Sequence, residues 1–234
     1  MGAGGWFLSE MLGILQPVIK MIQTVTEATE QIISLRKKHL HRAILIGISG
    51  IDASGKGYIT AQIQNLLLNN RYQAVAINID GWLNLPEIRF NRTDPARHFY
   101  DHAIRFEEMF GDLVLPLRKN RSIELTVHHT EETADRYRTC QYIFGNVEII
   151  LLEGIFLFKK PFRHYFDLAI WIECSFEPAL KRAIHRKQEA LSDEETIRAY
   201  ETIYFPAQRI HFEADEPQVF AEITIRNEET KLVS

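Results

Sequence analysis

Hydrophobic positions along the chain change their spacing near residue 40. Beyond this point, short apolar runs rich in β-branched residues alternate with longer stretches in which apolar positions recur every three or four residues. The short runs predict strands and the longer stretches predict helices. The predicted strands are Ala43–Ile48, Ala74–Ile79, Val147–Leu152, Leu168–Ile172 and Glu222–Ile225. The predicted helices are Lys56–Leu68, Phe99–Leu117, Pro178–Ala190 and Asp193–Phe212.

Strands that alternate with helices favour a mainly parallel sheet covered by helices on both faces. The predicted fold class is therefore α/β, a three-layer α/β/α sandwich that spans residues 41–234. One stretch, residues 118–146, is polar and lacks clear periodicity. We expect it to form an arm or hairpin beside the active site.

The first 40 residues (1–40) predict an amphipathic helical extension of this domain. Apolar residues recur at helical spacing, at Met11, Leu15, Val18, Ile22, Val25 and Ile32. Pro17 would kink this helix or begin a second one. Glu10 and Lys20 leave an uncharged run shorter than the ~18–20 residues of a spanning helix, and no basic segment precedes it, so neither a membrane span nor a signal peptide is predicted. We expect the helix to pack on the domain or on a partner subunit, which would allow a homo-oligomer, and a membrane-surface anchor is the alternative.

Composition narrows the class of protein. The 234 residues are 46% hydrophobic and 25% charged, which suits one globular domain with a sizeable core. The net charge of −4 and the lack of a basic cluster in the sequence argue against a nucleic-acid partner. Cys140 and Cys174 are isolated, which argues against a metal knuckle and favours a reducing cytoplasm.

A glycine-rich turn lies between the first predicted strand and the helix that follows it. The segment "GIDASGKG" has Gly50, Gly55 and Lys56 at the G-x-x-x-x-G-K spacing of a P-loop. Backbone N–H groups in such a turn wrap a phosphate, and the helix N-terminus adds a favourable partial charge. The predicted fold is thereby of the P-loop NTPase type. The residues expected to bind the nucleotide are Gly50, Ile51, Asp52, Ala53, Ser54, Gly55, Lys56, Gly57 and Tyr58.

The loop departs from the motif at its last position. Gly57 follows Lys56, where a P-loop has a Ser or Thr whose hydroxyl holds Mg²⁺. Thr60 cannot replace it, because it lies one helical turn further from the phosphates. Since Mg²⁺ usually keeps several waters and also binds the phosphates, we expect weakened metal affinity rather than lost activity.

Two carboxylates follow apolar strands. Asp80 closes "AVAINID", where it would reach the ligand crevice and accept a proton from an attacking hydroxyl, or else cap the turn before Gly81. Glu153 ends "VEIILLEG", where it would hold Mg²⁺ directly or through water. The alternative for Glu153 is an ion pair with Lys56 or a helix cap.

A basic helix supplies the remaining candidates. Arg182 and Arg186 are four residues apart in "FEPALKRAIHRK" and share a helix face. Arginines placed in this way clamp phosphates during transfer, and a solvated basic face is the alternative.

Several ordered motifs between about residues 43 and 227 resemble the uridine kinase-like branch of the P-loop kinases, alongside phosphoribulokinase and pantothenate kinase. They are "GISGIDASGKG", "AINID", "HFYDHAIRFEEM", "LVLPLR", "IILLEGIFLF", "FRHYFDLAIWIECSFEPALKRAIHRK", "AYETIYFPAQRIHF" and "AEITIRN". The resemblance implies ATP and Mg²⁺ as cofactors. It implies that Asp80 is the general base and also lies near the metal, that Glu153 is the carboxylate at the metal, and that Arg186 contacts phosphates beside Lys56.

On the acceptor side the resemblance is weaker. It implies that Asp101 holds the sugar hydroxyls of the acceptor and that His128 touches its base. Tyr100 and Arg182 neighbour matched positions and are further candidates for substrate binding. The arginine-dense lid of the family is thinned to "KQEALSDEE" within residues 186–195.

Two hypotheses of different class follow. The first is an ATP-dependent kinase whose acceptor is a nucleoside such as uridine or cytidine by resemblance alone, with a pantothenate-like or sugar-like alcohol left open. The second is a catalytically silent nucleotide-binding protein that acts through a partner, and Gly57 and the thinned lid support it. An NTPase switch is weaker, because no arginine finger can be assigned.

Overall fold

The computed structural model describes residues 22–130, 133–187 and 190–228. The strands are β1 (Ile44–Gly50), β2 (Ala74–Asn78), β3 (Ile123–His129), β4 (Arg138–Phe144), β5 (Ile149–Gly154), β6 (Leu168–Glu173) and β7 (Ile223–Arg226). The helices are α1 (Val25–Lys38), α2 (Lys56–Asn69), α3 (Pro86–Arg89), α4 (Pro95–His102), α5 (Phe106–Glu108), α6 (Leu115–Asn120), α7 (Phe176–Arg186), α8 (Asp193–Ala199), α9 (Phe205–Asp215) and α10 (Pro217–Phe220). Within these residues, every helix is too short or too polar to cross a bilayer.

Five strands form one parallel sheet in the order β2-β5-β1-β6-β7. The α/β prediction is confirmed. Because all five strands run the same way, their carboxyl ends meet at one edge of the sheet. Ser49 pairs there with Gly154, and Asn78 pairs with Glu153. The ends of β1, β5 and β2 therefore stand side by side.

The central strands are buried on both faces. In β1, Ile44, Ile46 and Ile48 join one core cluster with residues of α1 and α2. Leu45, between them, joins a second cluster rich in aromatic side chains on the opposite face. Alternate side chains of a strand point to opposite faces, so this division creates the three layers.

Gly47 in β1 allows the aromatic layer to approach the sheet closely. A Cβ atom at this position would lie 2.6 Å from the Phe158 ring and 2.8 Å from the Phe166 ring. Real Cβ contacts are not this short, so a larger residue would displace one of the rings.

Helix α1 begins later than the hydrophobic pattern predicts. Thr24 caps it, accepting from the N–H of Glu27, while the Glu27 carboxylate accepts from the N–H of Thr24. Ile22, which the pattern assigned to the helix, instead pairs with Thr224 in an isolated β-bridge. Ile32 is fully buried against the sheet. The predicted positions Met11, Leu15, Val18 and Pro17 lie outside the described residues.

The prediction of a single helix over residues 99–117 is wrong, because the helical conformation is interrupted after α4. The N–H of Arg105 donates to the carbonyl of Trp82 at 2.9 Å, and the N–H of Asn84 donates to Ala103 at 2.8 Å. These bonds pair two extended segments in antiparallel fashion. They take backbone groups that a continuous helix would use, and a second helical run starts at Phe106.

Two helical runs contain a π-helical segment, Met109–Val114 and Tyr200–Tyr204. In each case a proline follows closely, Pro116 in α6 and Pro206 in α9. Proline lacks an N–H and its ring clashes with the carbonyl four residues earlier, so the preceding turn widens to accommodate it.

Residues 118–146 contain the last turn of α6 followed by the β3–β4 hairpin, the second sheet of the fold. The hairpin meets the turn after β2, because the N–H of Thr130 donates to the carbonyl of Gly81 at 3.0 Å. Along β3, Val127 is buried, His129 is half-buried and His128 is exposed. The hairpin therefore presents His129, rather than His128, to the body of the domain.

Candidate active site

The turn from β1 to α2 has the backbone that phosphate binding requires. Gly55 has φ of +88°, in the left-handed region that favours glycine. A Cβ atom on Gly55 would lie 2.2 Å from Nδ2 of Asn227, so glycine is required there on both counts. Ala53 also has positive φ, at 55°. The turn leads directly into the N-terminus of α2, where backbone N–H groups are open to an anion.

Side chains from distant parts of the chain support this turn from below. Asn227 donates from Nδ2 to the carbonyl of Ser54 at 2.8 Å. Arg182 donates to the carbonyl of Asn227 at 2.7 Å and to that of Ala53 at 3.3 Å. Arg182, predicted as a substrate-binding residue, thus lies behind the phosphate loop in this arrangement.

Lys56 lies folded into the loop. Its side chain is 8% exposed, and Nζ donates to the carbonyl of Ile51 at 2.9 Å. The ammonium group therefore stands at the centre of the turn.

Asp52 ties the loop to the helical layer above it. Its carboxylate accepts from the N–H of Ala53 at 2.7 Å, from the Tyr200 hydroxyl at 2.7 Å and from Arg186 at 3.3 Å. Burial raises the pKa of Asp52, but the charges of Arg186 and Lys56 and these hydrogen bonds outweigh it, so the pKa stays below its ordinary value. Arg186, at the end of α7, is thereby held beside the loop.

Asp80 lies two residues beyond the end of β2, in the turn that follows this strand. Its N–H donates to Oδ1 of Asn78 at 2.7 Å, which begins the 3-10 turn Ile79–Trp82. Removal from water and the charge of Asp52 raise the pKa of Asp80, although Lys56 acts in the opposite direction. A carboxyl with a raised pKa is a stronger proton acceptor near neutral pH.

Glu153 is the penultimate residue of β5 and is 6% exposed. Burial raises the pKa of Glu153 to about 7, Lys56 opposes this shift, and the charges of Asp80 and Asp52 add to it. Three carboxylates therefore share one small region with the cations of Lys56 and Arg186.

This arrangement fits a divalent cation. Burial raises the pKa values of both Glu153 and Asp80, and the charge of Asp80 adds to the shift on Glu153. A cation beside the two carboxylates would stabilise their charged forms. There is also room: a Cβ atom on Gly57 would meet only Oε1 of Glu153 within 4 Å, at 3.7 Å. Within the described residues no three His, Cys, Asp or Glu side chains form a ready-made metal site. The protein would therefore share Mg²⁺ with phosphate oxygens and water.

A cavity of about 210 Å³ connects these groups. It brings together most of the residues predicted to bind nucleotide or metal, namely Asp52, Ala53, Gly55, Lys56, Gly57, Asp80, Glu153 and Arg186. Gly50, Ile51 and Ser54 form the turn behind them. Tyr58 is 63% exposed and does not line this cavity.

The other wall of the cavity was not predicted. It consists of Leu83, Phe99, Ile155 and Tyr204, together with Arg89, which is only 4% exposed. These residues come from the end of the 3-10 turn after β2, α3, α4, the turn after β5 and a π-helical segment, and no local motif marks them. They form an apolar face with one buried cation opposite the phosphate loop.

Three residues predicted for the acceptor lie outside this cavity wall. The Tyr100 hydroxyl donates to the Asp215 carboxylate in the interior. Asp101 is exposed and pairs with Arg97 at 2.8 Å. His128 is exposed on the hairpin, as described above. Their predicted roles remain predictions.

Sequence comparison places these features among kinases. The profile of the Phosphoribulokinase / Uridine kinase family matches residues 45–194. Uridine-cytidine kinase B of Dictyostelium discoideum is 25% identical over 173 residues, 72% of this chain and 69% of that protein. A pantothenate kinase of Streptococcus mutans serotype c is 23% identical over 180 residues, 71% of this chain. The chain aligns with only 58% of that pantothenate kinase.

Solved structures confirm the P-loop kinase fold. A possible uridine kinase from Bacillus stearothermophilus superimposes with a TM-score of 0.65 at 20% identity, covering 85% of this chain and 99% of that one. A D-glycerate 3-kinase from Cryptococcus neoformans var. grubii does so with a TM-score of 0.58 at 7% identity, covering 86% and 94%. At this level of identity, the likeness is one of fold.

Proposed function

The chain belongs to the phosphoribulokinase / uridine kinase family, and from that premise we propose that it is an ATP-dependent kinase that phosphorylates a hydroxyl group of a small molecule. The observation that carries the proposal is the convergence of Lys56, Asp80 and Glu153 on one cavity beside the phosphate loop. A protein that only bound nucleotide would have no use for a carboxylate with a raised pKa at the acceptor side of the loop.

The roles follow from position. The loop amides and Lys56 hold the triphosphate, and Asp80 accepts the proton of the acceptor hydroxyl. The hydroxyl oxygen forms a bond to the γ-phosphorus while the bond from the γ-phosphorus to the β–γ bridging oxygen breaks, which releases ADP. Glu153 and Asp80 would hold Mg²⁺, which would supply positive charge to the phosphate oxygens.

Arg186 is assigned to the migrating phosphoryl group. It lines the cavity, and the 3.3 Å contact with Asp52 is long for a charge-assisted hydrogen bond. A phosphate in the loop offers the guanidinium a stronger, bidentate partner. Asp52 and Tyr200 then hold Arg186 in place until the nucleotide arrives.

The proposed acceptor is a nucleoside such as uridine or cytidine, and the alternative is a pantothenate-like or sugar-like alcohol. Support for both comes from the relatives, which include a uridine-cytidine kinase and pantothenate kinases. The cytoplasm is the proposed compartment, in keeping with the two unpaired thiols of Cys140 and Cys174. Assembly into a homo-oligomer through residues 1–40 is proposed as well.

A second candidate is a catalytically silent nucleotide-binding protein. The glycine at position 57 and the engagement of Arg186 by Asp52 favour it. It requires nucleotide binding with little dependence on Mg²⁺.

The deciding experiment is ADP release from ATP and Mg²⁺ over a panel of nucleosides, pantothenate and sugars. Wild type is compared with Gly57→Ser and with Asp80→Asn as the inactive control. Acceptor-dependent release by wild type, lost in Asp80→Asn, identifies the kinase and its substrate class. Release by Gly57→Ser alone means that the active site is intact but its metal site has decayed. No release from either, in protein shown to bind ATP, favours the silent binder.

A further inference from the structure

A second cavity, of about 520 Å³, lies at the opposite edge of the sheet. It opens between the end of α1, the end of α6 and the segment that leads into β1. Seven residues form its wall: Lys38, His39, His41, Arg42, Leu115, Arg118 and Lys119. The length of β1, about 23 Å for seven residues, separates it from the phosphate loop. We call this second cavity the basic cavity.

Two arginines at the base of the basic cavity are fixed by one carboxylate. Arg42 binds both oxygens of Asp167 at 2.7 Å, and Arg118 binds them at 2.9 and 3.3 Å. The N–H of Leu45 also donates to Asp167, at 2.8 Å. These bonds hold the pKa of Asp167 below its ordinary value even though burial acts to raise it. The carboxylate thus remains charged and anchors both guanidinium groups.

The anchored arginines keep donors for a ligand. Each guanidinium has five N–H groups. Arg42 uses three of them, two on Asp167 and one on the carbonyl of Ala43. Arg118 uses two, both on Asp167. The remaining donors belong to side chains that are already ordered, so a ligand would bind with little further loss of side-chain freedom.

The charge in the basic cavity is not balanced. Lys38, Arg42, Arg118 and Lys119 contribute four positive charges, and Asp167 contributes one negative charge, which leaves a surplus of three with the histidines neutral. No carboxylate lines the cavity among its described wall residues. This surplus stands out on a chain with a net charge of −4. Part of this charge is visible in the sequence, because Lys38 and Arg42 belong to the basic run "RKKHLHR" at residues 36–42. The fold adds Arg118 and Lys119 from almost 80 residues away, so the expectation that the chain has no basic cluster was wrong.

We propose that the basic cavity binds a phosphate-bearing small molecule, separately from the kinase site. Arginine forks recognise phosphate in bidentate fashion, and the lysines add point charges at the rim. A volume of about 520 Å³ lies within the range of small-ligand sites, whereas a membrane surface or a nucleic acid backbone would require no cavity of this size. The proposal does not depend on kinase activity.

Labelling with pyridoxal 5′-phosphate tests this site in the full chain. Its phosphate would enter the basic cavity, and its aldehyde would condense with a nearby lysine ε-amine, releasing water and forming an imine that borohydride reduces to a stable amine. Peptide mapping then identifies the lysine. We expect labelling of Lys38 or Lys119 that inorganic pyrophosphate prevents. Lys37 is the internal control, because it is exposed on the same helix turn but lies outside the cavity wall. Equal labelling of Lys37 and Lys38, or no protection by pyrophosphate, would overturn the proposal.

Matched variants give a second measurement. Lys119→Glu reverses a charge across the basic cavity from Lys38, so it should raise the pyridoxal phosphate concentration for half-labelling of Lys38 by about tenfold. Lys37→Glu makes the same change outside the cavity and should have an effect below about threefold. Far-UV circular dichroism and the midpoint of urea unfolding check that each variant is folded. Equal effects of the two variants would contradict the proposal.

Competitors identify the source of the phosphate. Free pyrophosphate should protect Lys38 at a lower phosphate concentration than phosphatidylserine vesicles or duplex DNA. Stronger protection by the vesicles or by the DNA would replace the small-molecule proposal with a surface that binds a membrane or a nucleic acid.

Discussion

Replacing Gly57 with serine tests how the metal site operates. Gly57 is the second residue of α2, and its φ lies outside the left-handed region, so a side chain introduces no backbone strain. The new Cβ atom would have only Oε1 of Glu153 within 4 Å, at 3.7 Å. A serine hydroxyl would therefore fit without displacing any neighbour and would lie within hydrogen-bonding reach of Glu153.

The Gly57→Ser substitution has two effects, one on the stability of helix α2 and one on metal binding, and their expected sizes differ. Serine favours a helix over glycine by about 0.5 kcal/mol and alanine does so by about 1 kcal/mol, so both substitutions should stabilise the fold slightly. Only serine supplies an oxygen for the metal. We expect Gly57→Ser to lower the Mg²⁺ concentration for half-maximal ADP release by about tenfold, which corresponds to about 1.4 kcal/mol.

The assay is ADP release against Mg²⁺ concentration at saturating ATP, with Gly57→Ala as the matched control. Isothermal titration of Mg²⁺ with a non-hydrolysable ATP analogue repeats the comparison without turnover. A Gly57→Ala curve that coincides with that of Gly57→Ser would refute the reasoning, because the hydroxyl would then have no part in the effect. If the curves of both variants match that of wild type, a water molecule already fills the metal ligand position as effectively as a serine hydroxyl would.

The remaining predictions concern a base, a buried acid and a close contact. Asp80→Asn should lower kcat by roughly 10²–10⁴-fold while the Kd for ATP, measured by fluorescence, changes little; an unchanged kcat would exclude Asp80 as the base. Because Glu153 keeps its proton to about pH 7 in the folded protein but to about 4.5 when unfolded, its contribution to stability falls as the pH rises between these values. In urea unfolding without Mg²⁺, the free energy of unfolding of Glu153→Gln relative to that of wild type should therefore rise by on the order of 1–3 kcal/mol between pH 5 and pH 8. A difference between the two proteins that does not change with pH would contradict the raised pKa. Gly47→Ala should lower the free energy of unfolding by about 1–3 kcal/mol, because the new methyl group would clash with two phenylalanine rings. Gly145→Ala is the control, because a Cβ atom there has no neighbour within 4 Å and should leave the same free energy nearly unchanged.

The phosphate side of the site could be predicted because its chemistry is local in sequence. Gly50, Gly55 and Lys56 lie within seven residues, and the strand and helix that flank them have clear periodicity. Asp80 and Glu153 follow apolar strands, and parallel strands bring their carboxyl ends together. The same reasoning gave the α/β class and the position of the hairpin segment.

The cavity wall opposite the phosphate loop could not be predicted because it depends on contacts between distant segments. The backbone pairing of Trp82 with Arg105 ends a helix that periodicity extends through residue 105. That break helps to place Phe99 and Arg89 on the cavity wall, where no spacing rule marks them. The basic cavity was missed in part for the same reason, because only the fold brings Arg118 and Lys119 to the basic run at residues 36–42.

One crossover of the sheet carries much of the cavity wall that faces the phosphate loop. Everything between the end of β2 and the start of β5, residues 79–148, is a single crossover that carries Asp80, Arg89, Phe99 and the hairpin. The phosphate loop and Glu153 lie outside it. In the proposed kinase, a change in the length or sequence of this crossover would alter part of the acceptor wall and leave the phosphate loop in place, while Ile155 and Tyr204 would stay on that wall. Exchange of residues 81–148 between relatives, with Asp80 kept, would therefore measure how much of the acceptor specificity this crossover carries.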